Sequence, residues 1–534
     1  MDSRSDTLAM QLATSLAARG VRHAFGMPGG VLLGLLEAFR QVGIDFVLVR
    51  HEGSAGFMAD VCAQLTGAPG VCVGTLGPGL TNLVSPIAGA HLERSPVLAI
   101  SGQIGTALLG TYTHQILDHV ALLAPVTRHA ALLTADSPCR QLDQALDALS
   151  GDLPGPVLVD VPAELWAVPI PPLAPPPIPV MRLPDAAQVS AGAALLSQAK
   201  RPVMAVGILG LNDSVARAVT AMATALSVPV ITTYRAKGAI SELHPLSAGA
   251  FGLSPVVDEC QQELLSTADL ILTVGLDPVE LRPQWLPGWP ADLPMIAISS
   301  SPDIPHPVTV AIDGDIPGAI GALQTATGPV ASLWTEAEIQ GHRSRWAAPF
   351  DDGPDGPAAT ISAIQAGMGP DALCAMDVGA HRITASHTWA CTAPFQQVQS
   401  NGFSSMGTGL PGAIAAKLCH PDRPVVALTG DMGLWMALGE LGVVQEREMD
   451  LVVVYLADRS LSLIALKQER TQLPCHGVSF ENPDVVALAQ AFGGTGRRVQ
   501  GAVAVEAAVA EAVAAGGLQI IEAVIDPAAY REQM

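Results

Sequence analysis

The chain is built from short apolar runs rich in Val, Ile and Leu, each followed by a stretch of helical periodicity, and the unit recurs along its whole length. Near-continuous apolar runs mark strands buried on both faces, as in a parallel sheet covered by helices. Strands are predicted at His23–Phe25, Phe46–Arg50, Val71–Thr75, Val97–Ser101 and Val157–Val161. A second group falls at Val203–Val206, Val228–Thr232, Leu270–Val274 and Met295–Ile298, and a third at Ala372–Met376, Val425–Thr429, Leu451–Leu456 and Gln519–Val524. Two breaks separate the groups. The first, 168–184, is so dense in proline that it forbids helix and sheet and predicts a stiff extended spacer. The second, 328–354, combines Gly-Pro turns with a polar helix and predicts a connector. The fold class is therefore α/β, with three doubly wound parallel-sheet domains at 1–167, 185–327 and 355–534.

Composition narrows what such a chain can do. It has 534 residues, 49% hydrophobic and 14% charged, with a mean hydropathy of +0.38. No uninterrupted apolar run reaches the ~20 residues of a membrane span, so no membrane partner is expected. The first twenty residues read as an amphipathic helix, not a secretory leader, which predicts a cytoplasmic protein. The net charge of −22 argues against nucleic acid as a partner. Eight scattered cysteines without a CxxC pair read as small core residues in a reducing compartment.

The segment Val425–Asp458 carries the strongest chemical signal. Two apolar runs each end on an aspartate, Asp431 or Asp458, and Leu434–Glu448 between them predicts one crossover helix. A right-handed parallel crossover returns the second strand close to the first. Both carboxylates should then emerge at the carboxyl edge, where open α/β sheets bind ligands. Beside a helix amino terminus opened by Gly430 and Gly433, they could hold a divalent cation and the phosphates it neutralises. Taken alone, the stretch is equally compatible with Asp431 as a helix cap and Asp458 as a turn residue.

Further candidates lie in the first domain. Glu52 follows a predicted strand where a helix begins, a position that also suits a partner for the helix dipole. Glycine turns occur at FGMPGG (Pro28, Gly29, Gly30) and at GPGLTN (Gly77, Gly79, Asn82).

Together these residues carry a resemblance. FGMPGG, HEGSAGFMAD, GPGLTN, LPGPVLVDVPAEL, SSMGTGLPGAIAAKL and the paired-aspartate segment occur in the order and spacing of one family. The chain resembles the thiamine diphosphate-dependent acetolactate synthases and 2-oxo acid decarboxylases over essentially its whole length, and in particular the catabolic, flavin-free acetolactate synthases. The resemblance implies pyrimidine-binding, central and diphosphate-binding domains, in that order. It implies that Glu52 hydrogen-bonds N1′ of the aminopyrimidine, so that the cofactor's own imino group takes the thiazolium proton. Met406 would prop the folded cofactor, with Pro28, Gly79 and Asn82 on the pyrimidine side. Gly379, His381, Gly430, Asp431, Met432, Gly433, Asp458 and Leu461 would line the diphosphate side. Magnesium would take side-chain oxygens from Asp431 and Asp458 and the carbonyl of Ser460. His381 could equally be a surface histidine.

Two departures stand out. Met432 replaces the family's glycine, crowding a backbone that approaches phosphate, and Asp458 replaces an asparagine, keeping an oxygen ligand and adding charge. The HQ…D…VA stretch around Gln115 resembles that of the catabolic synthases, which implies that Gln115 and Gly29 act near the reacting centre, with His114 as a neighbour. Arg382 and Thr384 depart from those enzymes. His51, His119, His129 and His387 read as satisfied or surface residues. GILGLN in the middle domain shows no GxGxxG, so no required flavin (FAD) is expected. The implied reaction joins a 2-oxo acid donor such as pyruvate to a second carbonyl acceptor. The alternatives are a non-ligating decarboxylase, an acyltransferase, or an inactive cofactor-binding subunit. The family's sites lie between subunits, implying a homodimer or homotetramer.

Overall fold

The computed structural model describes residues 6–151, 153–176, 182–285, 289, 292–301, 304 and 308–534. The apolar runs form three six-stranded, wholly parallel sheets with helices on both faces. The first contains β1 (His23–Gly26), β2 (Asp45–Leu48), β3 (Gly70–Gly74), β4 (Val97–Gln103), β5 (His129–Leu132) and β6 (Val157–Pro162), in the order β2-β1-β3-β4-β6-β5. The second contains β7 (Pro202–Val206), β8 (Val230–Thr233), β9 (Ser247–Phe251), β10 (Leu270–Val274), β11 (Met295–Ser299) and β12 (Val310–Asp313), ordered β12-β11-β10-β7-β8-β9. The third contains β13 (Leu373–Met376), β14 (Gln397–Gln399), β15 (Val425–Gly430), β16 (Leu451–Ala457), β17 (Thr495–Gln500) and β18 (Leu518–Val524), ordered β14-β13-β15-β16-β18-β17.

In each sheet the winding reverses beside the first strand, between β1 and β3, between β7 and β10, and between β13 and β15; the outer sheets reverse again at the far edge, where β5 lies outside β6 and β17 outside β18. Loops diverge at such a reversal and open a crevice at the carboxyl edge. The three crevices differ. In the middle sheet the buried Glu280 lies beside it, accepting the Ile208 amide at 3.0 Å, and the Ile208–Asp213 loop lines an open cavity shared with Glu93, Arg94 and Arg235.

The sequence missed β5, β9, β12, β14 and β17, and each is an edge strand. An edge strand has one sheet neighbour, so its sequence need not be a continuous apolar run; Thr495–Gln500 reads TGRRVQ and is largely exposed. The single helix expected over Leu434–Glu448 is also corrected. The segment is broken into a helix at Asp431–Met436, a 3-10 turn at Leu438–Glu440 and a helix at Leu441–Glu446. Gly439 and Gly442 sit where the Arg50 side chain packs. The break turns the buried Glu440 carboxylate onto the amides of Arg50 (3.1 Å) and His51 (3.1 Å) in the first domain.

The first linker is more structured than expected, and the second holds the polar helix expected there. Pro169 pairs with Thr7 in an antiparallel bridge, where the Leu8 amide donates to Val168 O at 2.8 Å and that of Ile170 to Asp6 O at 2.8 Å. Proline lacks an N–H, yet here its neighbours supply the bonds. Residues 177–181 lie outside the described set. In the second linker, a helix at Glu336–Ala347 starts from a Thr335–Glu338 capping box. It is anchored to the middle sheet by the Trp346 indole N–H on Ala250 O (2.9 Å), while Trp334 just before it donates to Pro202 O (2.8 Å). Among the described residues no helix is long and apolar enough to cross a membrane.

Candidate active site

Two groups of residues gather at the carboxyl edges of the outer sheets. In the first domain, Glu52 opens the helix Glu52–Thr66 and is 8% exposed. His51 caps that helix, its Nδ1 accepting the Gly53 amide at 3.0 Å. Asn82 Nδ2 donates to Glu52 Oε2 at 2.9 Å. Oε1 has no bonded partner and faces Gly79, where a Cβ would come within 3.4 Å of it. Gly29 crosses the β1/β3 reversal so tightly that a Cβ would meet Thr75 Oγ1 at 2.3 Å, which explains the glycine. Pro28 is exposed. Gln115 lies on an exposed loop with φ +60°, and its carbonyl packs on Gly77, which has φ +67°. His114 is exposed, its ring edge-on to Tyr112.

In the third domain, Asp431 and Asp458 follow β15 and β16, adjacent parallel strands with Gly430 opposite Leu456. Asp431 lies in the first helical turn and is 2% exposed. Its Oδ1 accepts the Met432 amide (3.0 Å), and its Oδ2 accepts the Arg459 amide (2.8 Å) and Asn482 Nδ2 (3.2 Å). Burial pushes its carboxyl up, partly offset by these donors. Asp458 is half-buried and forms an Asx turn, accepting the Ser460 amide at 3.1 Å and the Ser462 hydroxyl at 2.5 Å. Burial, aided by the nearby Asp431, pushes it up to about 6. Leu461, half-buried, donates its amide to Val478 O at 2.8 Å.

Around this pair lies a cradle of small residues. A Cβ on Gly379 would meet the His381 ring at 2.7 Å, one on Gly430 the same ring at 3.2 Å, and one on Gly433 Asp377 Oδ2 at 2.2 Å. His381 is buried, not a surface histidine, and its Nε2 has no hydrogen-bond partner. Burial and the neighbouring Arg382 push it down to about 3, keeping the ring neutral. Met406 is half-buried on the loop that Asp377 secures by accepting the Gly407 amide at 2.9 Å. Met432 is half-buried in a helical turn outside the positive-φ set, so its backbone needs no glycine.

Sequence reasoning missed Asp377, Glu440, Asn482 and Arg459. Asp377, the residue directly after β13, had a usable signal; Glu440 and Arg459 lie in or beside the paired-aspartate segment but act through contacts no local pattern shows, and Asn482 comes from a later loop. Arg382 and Thr384 serve structure: Arg382 donates to Ser400 O and to Ser404 Oγ (3.3 Å), and Thr384 to Gln533 Oε1 (2.6 Å). His119 is a satisfied buried residue. His387 is neither satisfied nor on the surface: it is buried, stacked on Phe350 at 5.2 Å, with both ring nitrogens unbonded. His129 is half-buried with an unbonded Nε2.

The fit to a diphosphate cofactor is good on these observations: a glycine-lined crevice, an orphaned imidazole nitrogen and two carboxylates at one edge. Among the described residues no group of three or more His, Cys, Asp or Glu side chains could hold a metal unaided. A cation here would need backbone and phosphate oxygens besides.

Three parallel-sheet domains with this cradle define a thiamine diphosphate enzyme. Residues 6–122 match the thiamine pyrophosphate enzyme N-terminal TPP binding domain, 189–323 the central domain and 377–523 the C-terminal TPP binding domain, and the chain belongs to this family. It is 28% identical to the acetolactate synthase of Bacillus subtilis (strain 168) over 96% of this chain and 92% of that protein. It is 29% identical to the acetolactate synthase isozyme 3 large subunit of Escherichia coli (strain K12), over 95% and 92% of the two chains. The acetolactate synthase large subunit of Corynebacterium glutamicum is 30% identical, over 92% and 82%. The chain is thus a thiamine diphosphate-dependent enzyme of carbon–carbon bond chemistry.

Proposed function

We propose that this enzyme is a magnesium-dependent carboligase that decarboxylates pyruvate or a similar 2-oxo acid and joins the acyl unit to a second carbonyl. The observation that carries the reading is the pairing of Asp431 and Asp458 at adjacent strand ends beside the orphaned His381 nitrogen. Asp431, Asp458 and the Ser460 carbonyl would hold the magnesium ion, and Gly379, His381, Gly430, Met432, Gly433 and Leu461 would line the diphosphate. Met406 would support the middle of the cofactor. The cofactor, when bound, supplies the carbanion that adds to the 2-oxo acid carbonyl. Glu52 holds or releases a proton at Oε1, because Asn82 occupies Oε2 and Gly79 leaves Oε1 open. Gln115 and Gly29 would face the substrate.

Within one chain Glu440 of the third domain accepts the Arg50 and His51 amides, but no hydrogen bond among the described residues joins Glu52 itself to Asp431 or Asp458. The exposed Leu108, Tyr112, Leu117 and Leu122 flank Gln115, and the exposed Phe403 and Met436 lie near Met406 and the cradle. Apolar surface of this kind supports a homodimer or homotetramer with sites shared between subunits. Incubation with pyruvate, thiamine diphosphate and magnesium, with products identified by mass, tests the proposal. Acetolactate is expected; acetaldehyde alone would move the reading to a non-ligating decarboxylase, and no product would refute both.

A further inference from the structure

Cys62 lies in the Glu52–Thr66 helix of the first domain, and Cys419 ends the Gly409–Cys419 helix of the third. The helices pack closely, with a Cβ on Gly412 coming within 3.5 Å of Val61. Across this contact the two sulfurs are 3.0 Å apart. Both cysteines are free thiols. A disulfide needs about 2.05 Å between sulfurs, so closing this gap requires a displacement of the order of an ångström, within reach of side-chain rotation. We propose that Cys62 and Cys419 are a redox modification site, forming a reversible disulfide that clamps the Glu52 helix to the third domain.

The two thiols differ in a way that orders the chemistry. Cys62 is 7% exposed, whereas Cys419 is half-buried and meets solvent first. The two share one hydrogen bond in which either sulfur can donate, and this contact, with burial, pushes the Cys62 thiol up. Cys419, the sulfur that solvent reaches, is therefore the one that reacts first. With hydrogen peroxide as oxidant, the Cys419 thiolate attacks the O–O bond, giving a sulfenic acid and releasing hydroxide, which leaves as water once protonated. The Cys62 sulfur then displaces the sulfenic oxygen as a second water. Two thiols lose two electrons and two protons, and the peroxide is reduced to two waters. A dithiol reductant reverses the step by exchange.

The bond would tie residues far apart in sequence, and so restrict opening between the catalytic helix and the domain that carries the cradle. The test uses the full chain, oxidised with hydrogen peroxide under native conditions and mapped without reduction. The expected product is a cross-linked peptide pair containing Cys62 and Cys419, with two of the eight thiols lost. Its melting temperature should exceed that of the reduced protein by several degrees. Cys62→Ser should abolish the cross-link and that shift, leaving a sulfenic acid at Cys419 that dimedone traps. Cys419→Ser, the second variant, should remove both cross-link and adduct. Absence of the cross-link while the exposed Cys475 is oxidised would overturn the proposal. A cross-link that forms only in denaturant would do so too, and one without a melting shift would refute the clamp.

Discussion

The imidazole of His119 accepts the Gly77 amide at Nε2, 3.1 Å away, while its Nδ1 faces the Asp160 carboxylate at 3.1 Å. Since Nε2 is an acceptor, the proton must sit on Nδ1, and Asp160 fixes that tautomer. All three groups are buried, with Ser101 Oγ also on Nδ1 at 3.2 Å. The relay holds the glycine turn that precedes Gly79 and packs against Gln115. His119→Ala leaves the amide and the carboxylate short of partners, at a cost of about 2 kcal/mol. A thermal melt should show a Tm lower by several degrees. His119→Gln, whose side-chain oxygen can replace Nε2, should recover part of the loss.

Glu52→Gln keeps the contact with Asn82 but cannot exchange a proton at Oε1. Turnover should fall by about 10²–10⁴-fold, with cofactor binding measured by calorimetry changed far less. Full activity in this variant would sink the assignment.

Asp431→Ala removes the more buried of the two carboxylates. Magnesium-dependent binding of thiamine diphosphate, followed by calorimetry, should be lost. The same protein without cofactor should remain folded by circular dichroism, because Arg459 and Asn482 lie near enough to the edge to take water. Binding that persisted unchanged would place the metal elsewhere.

Glu280 gives a pH signature outside the site. Burial pushes its carboxyl from the ordinary 4.5 up to about 8, although Thr233 and the Ile208 amide bond to it. An acid raised on folding binds its proton more tightly in the native state, so stability falls as pH rises from about 4.5 to about 8 and then levels off. Glu280→Gln mimics the protonated acid: its oxygen can accept from Ile208 and its amide can donate to Thr233. Denaturant unfolding should show the variant gaining on the parent across that window, by an amount on the order of a few kcal/mol. A gap that does not change with pH would disprove the buried-acid account.

Local sequence carries the interior of the fold well. Strands such as β4, β10 and β16 are buried on both faces and must be apolar throughout, so each is written as a run that one sequence suffices to read. The glycine turns are legible for a related reason. At Gly29 and Gly433 a neighbouring atom occupies the space of a Cβ, and no other residue fits. Edge strands such as β14 and β17 carry no such obligation, because half of their surroundings are loops or solvent.

The sequence by itself determined the three parallel sheets, the placement of Asp431 and Asp458 after adjacent strands, and the family through motifs in fixed order. These follow from local rules, since strand burial, helix starts and tight turns each constrain residues close in the chain. Only the tertiary structure decided what lies around them. It broke the segment after Asp431 so that Glu440 could bond to the backbone before Glu52, buried His381 with a free nitrogen, set Glu280 against the Ile208 amide and set Cys62 against Cys419. Each of these is a contact between residues distant in sequence, fixed by how whole elements pack, and no local pattern records the partner.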